Sequence, residues 1–331
     1  MNIAIVNTCV PFVRGGPEHF AEALRQQLIA RGHNALAVRI PFRCQPAQQV
    51  LDHLLACRLL TLPRIERVIA LRFPAYCVPH PNKVVWLVNQ FRPEYESASI
   101  HQVVINADSR YLPQARRIFT NSLVTVARLK KFNGIAPEVL HAPLARSEHF
   151  FCSGYGDYFL CPEWVAGDER LALVVESMKY VKSAVRLVIA DRPEQPSARD
   201  EVERVIRENR LESKVELIPR FMSEDEKARR FAAALGCVYT PYDEESCGDV
   251  TLQAFHSRKP VITCRDSGGV TILVRHGETG LVVEPQPAAI AEAMDELFDN
   301  RARAAKMGDA GFELMMASGI HWNNAIEKLL A

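Results

Sequence analysis

The sequence lacks the features of a membrane-spanning or exported protein. No apolar run among its 331 residues approaches the roughly 20 residues that a transmembrane helix needs. Its start, MNIAIVNTCVPF, has neither the basic segment nor the small-residue cleavage site of a signal peptide. We therefore expect a cytoplasmic protein, for which peripheral contact with a membrane stays open.

A large excess of one charge is also missing. The chain has 40 Lys and Arg residues against 39 Asp and Glu residues, which gives a formal net charge of +1. Proteins that bind nucleic acids neutralise phosphates with clustered cations, so we expect no nucleic-acid partner. A hydrophobic content of 48% is typical of a soluble globular enzyme. The length suffices for two domains, each with its own core.

Cysteine pairs at metal-binding spacing are absent too. Nine cysteines are scattered along the chain, their number is odd, and no CxxC pair occurs among them. This pattern is typical of reduced thiols in a reducing compartment rather than of disulfides or a structural zinc site. We expect no metal ion and no cofactor.

Residues 238–285 say most about how the chain is organised. Their pattern predicts a strand, an acidic loop with Glu245, an amphipathic helix over 249–257, a second strand, a Gly268-Gly269 turn, a short helix and a third strand. This alternation is typical of a doubly wound parallel sheet. Ligands of such sheets collect at the carboxyl ends of strands, beside helix N-termini with free backbone N–H groups. The polar residues of this stretch therefore mark a candidate binding site.

The first half repeats the alternation of strands and helices. An apolar strand at 2–7 is followed by Gly15-Gly16-Pro17-Glu18, where the proline and the early acid predict the start of a helix. Either the turn alone explains the two glycines, or they let a substrate approach the helix N-terminus. Ser122 is predicted to cap a helix over 123–132. Further strands are predicted at 35–40, 67–71, 83–88, 115–122 and 156–162, and further helices at 47–59, 288–299, 302–318 and 322–330.

Several strings in the sequence are similar to one enzyme family. The helix start Gly-Gly-x-Glu, the strings HPNKVVWL and IFTNS, and the stretch RHGETGLVV resemble glycosyltransferase family 4 (group 1), the retaining sugar transferases of GT-B fold. The resemblance implies an α/β protein with two Rossmann-like, doubly wound parallel-sheet domains facing across a cleft. The acceptor-side domain would span residues 1–149 and the nucleotide-sugar-binding domain residues 150–310. Residues 311–331 would form a C-terminal helix that crosses back to the first domain.

The resemblance also implies roles for individual residues. Glu245, the first acid of the family's Glu-x7-Glu motif, would bind sugar hydroxyls as a catalytic residue. Asn89, also assigned to catalysis, stands where the family has a histidine near both sugars. Gly15 and Arg92 would lie on the acceptor side, where Arg92 would either contact an anionic acceptor or make a surface ion pair. No metal ligands are implied, because no two aspartates flank a single residue. The donor would be bound by Gly16, Arg170, Arg192, Cys247, Gly248, Asp249, Gln253, Gly268 and Gly269.

Four polar positions depart from the family pattern. Asn89 cannot carry a proton at neutral pH as a histidine can. The second acid of the motif is Gln253 here, and an amide bonds a ribose hydroxyl more weakly than a carboxylate. By spacing, Trp164 and Glu169 replace the two cations that hold the donor diphosphate, and Arg170 remains beside them.

Two arginines at predicted strand ends bear on this loss of charge. Arg192 and Arg220 follow the strings VIAD and ELIP, where relatives usually have glycine. Either they restore positive charge near the diphosphate, or they are ordinary surface arginines. Both readings remain open from the sequence.

The combined pattern favours a retaining glycosyltransferase of the hexosyltransferase type. It would move a sugar from a nucleotide-sugar donor to a glycan, a lipid-linked sugar or a small molecule. The alternative is a catalytically degenerate GT-B scaffold that acts as a binding or partner subunit. A third reading is an enzyme with a changed donor, in which Trp164 stacks on a base or a lipid-linked sugar. Self-association or a partner protein stays open.

Overall fold

The computed structural model describes residues 1–10, 12, 16–42, 47–88, 90, 101–162, 170–190, 196–220 and 222–331. Contacts within the chain divide it into two units. Unit 1 consists of Met1–Ala145 and Gly319–Ala331, and unit 2 of Arg146–Ser318. The boundary inferred from the sequence, after residue 149, lies four residues further along, at the end of a 3-10 turn over Ser147–His149.

Unit 1 is built on a six-stranded sheet with the strand order β2-β1-β3-β4-β5-β6, and its paired strands are parallel. The inner strands β3 and β4 are buried along their whole length, because helices cover both faces of such a sheet. Their apolar runs were therefore recognisable in the sequence. The strands are β1 (Asn2–Cys9), β2 (Asn34–Pro41), β3 (Arg67–Ala70), β4 (Lys83–Leu87), β5 (Arg117–Thr120) and β6 (Glu138–Val139), and the helices are α1 (Gly16–Ala30), α2 (Ala47–Leu59), α3 (His101–Tyr111) and α4 (Leu123–Asn133).

One core of unit 1 needs residues from the other end of the chain. Helix α11 (Trp322–Leu330) buries its apolar face against α1 and the β-sheet. The ring of Trp322 stacks on Phe20 with centroids 5.5 Å apart, and its Nε1 donates to the carbonyl of Leu144 at 3.1 Å. Aromatic pairs of this kind add to the stabilisation from buried area. Residues 319–331 are thus an integral part of unit 1.

Unit 2 contains the second six-stranded sheet, with the order β12-β11-β10-β7-β8-β9, and its paired strands are also parallel. The doubly wound α/β architecture predicted from the sequence is confirmed for both units. The strands are β7 (Tyr158–Cys161), β8 (Arg186–Ala190), β9 (Val215–Ile218), β10 (Gly236–Val238), β11 (Val261–Cys264) and β12 (Gly280–Val283), and the helices are α5 (Arg170–Ser177), α6 (Pro196–Glu208), α7 (Glu224–Ala233), α8 (Asp249–His256), α9 (Pro287–Asp299) and α10 (Arg301–Ala317).

Local signals set the ends of α4 as predicted. The hydroxyl oxygen of Ser122 accepts hydrogen bonds from the amides of Val124 and Thr125 at 3.0 and 3.3 Å. Gly134 ends the helix in the left-handed conformation, with φ +67°. Both features supply partners for backbone groups that a helix end leaves unpaired.

Two local predictions can be made more specific. The short helix expected after the Gly-Gly turn is a 3-10 helix over Gly268–Ile272, a form that short helical segments often take. The proline-rich link 72–82, expected to be irregular, holds a 3-10 turn at Ala75–Cys77. None of the helices in the described ranges combines the length and the hydropathy needed to span a bilayer.

Candidate functional site

The strand order of unit 2 points to one place at its sheet edge. The chain runs outward from β7 to β8 and β9, and then returns to the other side of β7 as β10. In open parallel sheets, ligands bind at the carboxyl ends of the strands where the order reverses in this way. The acidic loop, residues 239–248, follows β10 directly, so it lies at the expected ligand site.

Hydrogen bonds within the acidic loop fix its shape. The carboxylate of Glu244 accepts from the backbone N–H and the hydroxyl of Ser246, at 3.2 and 3.3 Å. The hydroxyl oxygen of Ser246 in turn accepts from the amide of Gly248 at 3.2 Å. Glu244 therefore stabilises the conformation of the loop. Its neighbour Glu245 is the acid that the sequence predicts to bind the sugar.

The Gly268-Gly269 turn packs against the backbone of the acidic loop. The amide of Gly269 donates to the carbonyl of Glu244 at 2.7 Å, and the amide of Asp243 donates to the carbonyl of Asp266 at 2.9 Å. A methyl group in place of the Gly268 hydrogen would come within 2.4 Å of the Glu244 carbonyl oxygen. At Gly269 it would come within 2.5 Å of the Ser246 carbonyl oxygen. Both glycines are thus required for contact with the loop backbone, while their predicted contact with a donor stays a prediction.

Helix α8 starts directly after this loop. Gly248, at φ +75°, is its N-cap, and its carbonyl accepts from the amides of Thr251 and Leu252. Asp249 is the first helical residue rather than the cap itself, a position in which its carboxylate suits the helix dipole. Cys247 is buried, and burial raises the pKa of its thiol to about 12. A thiol that stays protonated is a poor nucleophile, so we do not expect Cys247 to react with a ligand.

Gln253 lies one turn further along α8 and is almost fully buried, with 4% of its surface exposed. Within the described part of the chain, its side-chain oxygen Oε1 has no hydrogen-bond partner. A buried acceptor without a donor costs about 1–3 kcal/mol, and a buried unpaired carboxylate costs more. An amide at position 253 therefore holds a free acceptor while it avoids an uncompensated charge, and its contact with a donor stays a prediction.

Arg170, the first residue of α5, pairs with the carboxylate of Asp266. Its guanidinium also lies over the ring of Tyr242 in the acidic loop, 5.4 Å from the ring centroid. The second carboxylate oxygen of Asp266 has no partner among the described residues. The cation predicted to bind the donor is therefore beside the acidic loop, but an acid neutralises it there.

Sequence reasoning did not identify Asp266. Its signal was its position two residues after β11, at the carboxyl edge of the sheet. The ion pair joins residues 96 positions apart in the chain, and no local pattern predicts such a pairing.

Other predicted residues are elsewhere or outside the description. Gly16 begins α1, exposed, and a methyl group there would meet no atom within 4 Å. Arg220 forms a two-pronged pair with Glu226 at 2.6 and 2.9 Å and is 59% exposed, which fits the surface-arginine reading. The predicted site residues that lie outside the described residues are Gly15, Asn89, Arg92, Trp164, Glu169 and Arg192.

Comparison with known proteins finds a family match within the unit that carries this site, and curated relatives of parts of the chain. Residues 162–314 match the family described as "Glycosyl transferases group 1". Mouse alpha-1,3/1,6-mannosyltransferase ALG2 is 32% identical over 119 residues, which cover 36% of this chain and 28% of that protein. The D-inositol 3-phosphate glycosyltransferase of Acidothermus cellulolyticus is 36% identical over 101 residues, 30% of this chain and 22% of its own length. The matched segment is thus under a third of either curated relative.

Solved structures are similar over the whole chain. A glycosyltransferase from Rickettsia africae superposes with a TM-score of 0.78 at 14% identity, covering 99% of this chain and 98% of its own. Anabaena Alr3699/HepE in complex with UDP and glucose superposes with a TM-score of 0.77 at 15% identity, covering 100% and 99%. Identities this low show a shared fold, and the predicted GT-B fold is confirmed.

Proposed function

We propose that this chain, whose residues 162–314 belong to the group 1 glycosyl transferases, moves a sugar from a nucleotide-sugar donor to an acceptor hydroxyl. The observation that carries the proposal is the acidic loop at the reversal of strand order in unit 2. Its backbone is held in place by Gly268 and Gly269, and it presents Glu245 between β10 and α8. A loop fixed in this way is prearranged for a ligand, which lowers the cost of binding.

Three parts of this site have a role in the proposed complex. Glu245 accepts hydrogen bonds from hydroxyls of the donor sugar, close to the carbon that is transferred. The backbone N–H groups where the loop enters α8 face the diphosphate, in the favourable field of the helix dipole. The Oε1 atom of Gln253 accepts a hydrogen bond from a ribose hydroxyl, which satisfies an acceptor that is otherwise buried without a donor.

The transfer is proposed to retain the configuration of the sugar. The bond between the anomeric carbon and the diphosphate oxygen breaks, and the acceptor oxygen bonds to that carbon on the same face. The acceptor proton passes to an oxygen of the departing diphosphate. This scheme needs no protein nucleophile, but it needs stabilisation of the negative charge on the leaving group. We propose that it needs no divalent metal ion, so activity is expected to persist in a chelator.

A specific observation favours a second candidate function. Arg170, the described cation predicted to hold the diphosphate, is paired with Asp266, which offsets its positive charge. A chain of this kind could bind a ligand or a partner on a GT-B scaffold without catalysing transfer. The two functions differ in whether donor hydrolysis and transfer occur.

Calorimetric titration with UDP, GDP and ADP, followed by assays of hydrolysis of their sugar conjugates, tests the proposal. We expect one nucleotide to bind, and slow hydrolysis of its sugar conjugate that Glu245→Ala abolishes. Glu292→Gln removes an exposed acid of α9 and serves as the matched control, with unchanged activity. Binding without hydrolysis supports the scaffold. Failure of every nucleotide to bind rules out the transferase proposal.

A further inference from the structure

Unit 1 has its own reversal of strand order. The chain runs from β1 to β2 on one side and then crosses to β3 on the other side of β1. The crevice between the carboxyl ends of β1 and β3 is therefore where a ligand of this sheet is expected to bind. This place belongs to unit 1, whereas the acidic loop belongs to unit 2.

Arg72 lies at this crevice, two residues after the end of β3. The backbone on both sides of it is tied to β1, because the amide of Leu71 donates to the carbonyl of Val6 at 3.1 Å. The hydroxyl of Thr8 donates to the carbonyl of Phe73 at 3.2 Å. The position of Arg72 is thus fixed by its two chain neighbours rather than by its own side chain.

The start of α1 forms a wall of the same crevice. The side-chain amide of Asn7, near the end of β1, donates to the carbonyl of Pro17 at 3.2 Å and holds the first turn of α1 beside β1. Glu18 in that turn, and Cys9 at the end of β1, are the described titratable groups whose charge acts on Arg72. Arg72 therefore lies at a crevice that β1, β3 and the first turn of α1 border.

Arg72 differs from other inward-facing cations of unit 1. Arg67 donates to the carbonyl of Leu329 at 2.7 Å, and the ammonium of Lys83 donates to two backbone carbonyls, at 2.6 and 3.2 Å. Arg72 is half-buried, and in the ranges that the structure describes no hydrogen bond or ion pair involves its side chain. Burial lowers the pKa of Arg72, although a guanidinium remains charged at neutral pH.

The guanidinium is half withdrawn from water and bonds to none of the described residues, so its donors are available to a ligand that supplies acceptors. A guanidinium offers five N–H donors in a planar fork that matches the two oxygens of a carboxylate or phosphate. Hydrogen bonds between such charged groups are about twice as strong as neutral ones. Neutral sugars offer no comparable acceptor.

We propose that Arg72 binds a phosphate or carboxylate group of the acceptor in the crevice between β1 and β3. The identification of this anion as part of the acceptor rests on the proposed transferase function, whereas the anion site itself does not. The acceptor is then an acidic or phosphorylated sugar or polyol rather than a neutral one. Arg92, the residue predicted from the sequence for an anionic acceptor, lies outside the described residues.

Binding of small anions tests this site. The probes are inorganic phosphate, glycerol 3-phosphate, glucose 6-phosphate and glucuronate, with glucose as the neutral reference. We expect Arg72→Gln to weaken binding of the tightest anion by about tenfold or more, and Arg72→Lys to weaken it less, because an ammonium lacks the fork. The matched control is Arg64→Gln, the same charge change on an exposed residue before the amino end of β3, and it is expected to bind like the wild type.

A second variant guards against misfolding of the Arg72 variants. Glu18→Gln removes the negative charge that faces Arg72 and is expected to strengthen anion binding severalfold. An unfolded protein cannot show such a gain. Equal affinities in wild type, Arg72→Gln and Glu18→Gln, or an equal loss in Arg64→Gln, would overturn the proposed site.

The remaining outcomes separate the two proposals. If glucose 6-phosphate or another substituted anion binds more tightly than inorganic phosphate through Arg72, the acceptor assignment is supported. If inorganic phosphate alone binds there, the site is one for free phosphate and the acceptor assignment is wrong. Binding of UDP, GDP and ADP is measured separately in wild type. If none of the three nucleotides binds but the Arg72-dependent site does bind anions, the transferase function is refuted and the anion site is supported.

Discussion

The ammonium nitrogen of Lys259 lies 3.3 Å from the sulfur of Cys152, in the interior of unit 2. The same nitrogen donates to the carbonyl of Gly154 and lies 4.1 Å from the ring centroid of Tyr155. Lys259 is fully buried, and burial lowers the pKa of its side chain. One cation thus ties residues 152–155, at the start of unit 2, to the segment between α8 and β11.

Replacement of this cation is expected to destabilise unit 2. Lys259→Met keeps the length of the side chain but leaves the Gly154 carbonyl without its donor, at a cost of about 2–3 kcal/mol in unfolding free energy. Cys152→Ser keeps a polar partner and should cost less than about 1 kcal/mol. Urea unfolding of both variants measures the difference. Equal stability of Lys259→Met and wild type would contradict the role assigned to the ammonium.

The contact between the glycine turn and the acidic loop can be isolated by comparing two glycines. Gly268 and Gly277 both have positive φ angles, +61° and +79°, but a methyl group at Gly277 would meet nothing within 4 Å. Gly277→Ala should therefore cost about 1–2 kcal/mol from backbone strain alone. Gly268→Ala adds a clash with the Glu244 carbonyl, and we expect a larger loss of stability together with loss of nucleotide binding. Thermal unfolding and calorimetry report the two effects, and similar results for both variants would refute the contact argument.

Position 253 distinguishes binding of a ribose from a packing role. Gln253→Leu removes the unpartnered oxygen, so it should leave the unliganded protein as stable or more stable and weaken nucleotide binding. Gln253→Glu should lower the stability of the unliganded protein by about 1–3 kcal/mol, because it buries a charge, and should strengthen nucleotide binding. Calorimetry with the nucleotide that wild type binds measures both. Identical affinities in all three proteins would show that the residue does not contact the ligand.

Removal of the carboxylate that pairs with Arg170 should increase the affinity of the protein for the diphosphate. Asp266→Asn removes the partner charge, so the guanidinium can turn to a ligand, and Arg170→Gln removes the cation itself. We expect the first variant to bind UDP or its equivalent more tightly than wild type and the second more weakly, each by about tenfold. Arg258→Gln, which breaks an exposed pair with Asp309, is the control. Weaker binding by Asp266→Asn would indicate that the ion pair itself shapes the site.

His256, the last residue of α8, gives unit 2 a dependence on acid pH. Burial lowers the pKa of its imidazole to about 4 from the usual 6.5, an effect that the Glu148 carboxylate opposes. Between these values the unfolded chain binds more protons than the folded one, so stability falls as the pH drops from 6.5 to 4. The loss attributable to this group is at most about 3 kcal/mol. Denaturant unfolding at several pH values should show a flatter acid limb for His256→Gln, whereas His19→Gln, which alters an exposed histidine of α1, should retain the wild-type slope.

Local and periodic features of this fold were predictable from the sequence. Helices α2 and α11 have the predicted bounds, 47–59 and 322–330, because their ends coincide with clear breaks in the apolar pattern. The Ser122 cap was predicted because its partners are two and three residues away. Buried parallel strands are short apolar runs, which a single sequence displays directly.

The site could be predicted only in part. Glu245 and the Gly-Gly turn were identified as features of one stretch, but the fit of Gly269 against Glu244 joins segments 25 positions apart. The pairing of Arg170 with Asp266, and the lack of a partner for Arg72 among the described residues, depend on which side chains meet through space. Periodicity and turn signals indicate local conformation and do not show which distant side chains are in contact.

The placement of α11 has a consequence for the order in which the protein is completed. Ribosomes deliver the chain from its N-terminus, and domains generally fold as units during synthesis. The core of unit 1 includes Trp322, Ala325, Ile326 and Leu329, so the apolar surface of residues 1–145 is covered only after the residues of unit 2 have been synthesised. Unit 2 is one continuous segment and can fold before that point. Of the two units, unit 1 is therefore started earlier and completed later, and during this delay its exposed apolar surface makes the nascent chain prone to aggregation.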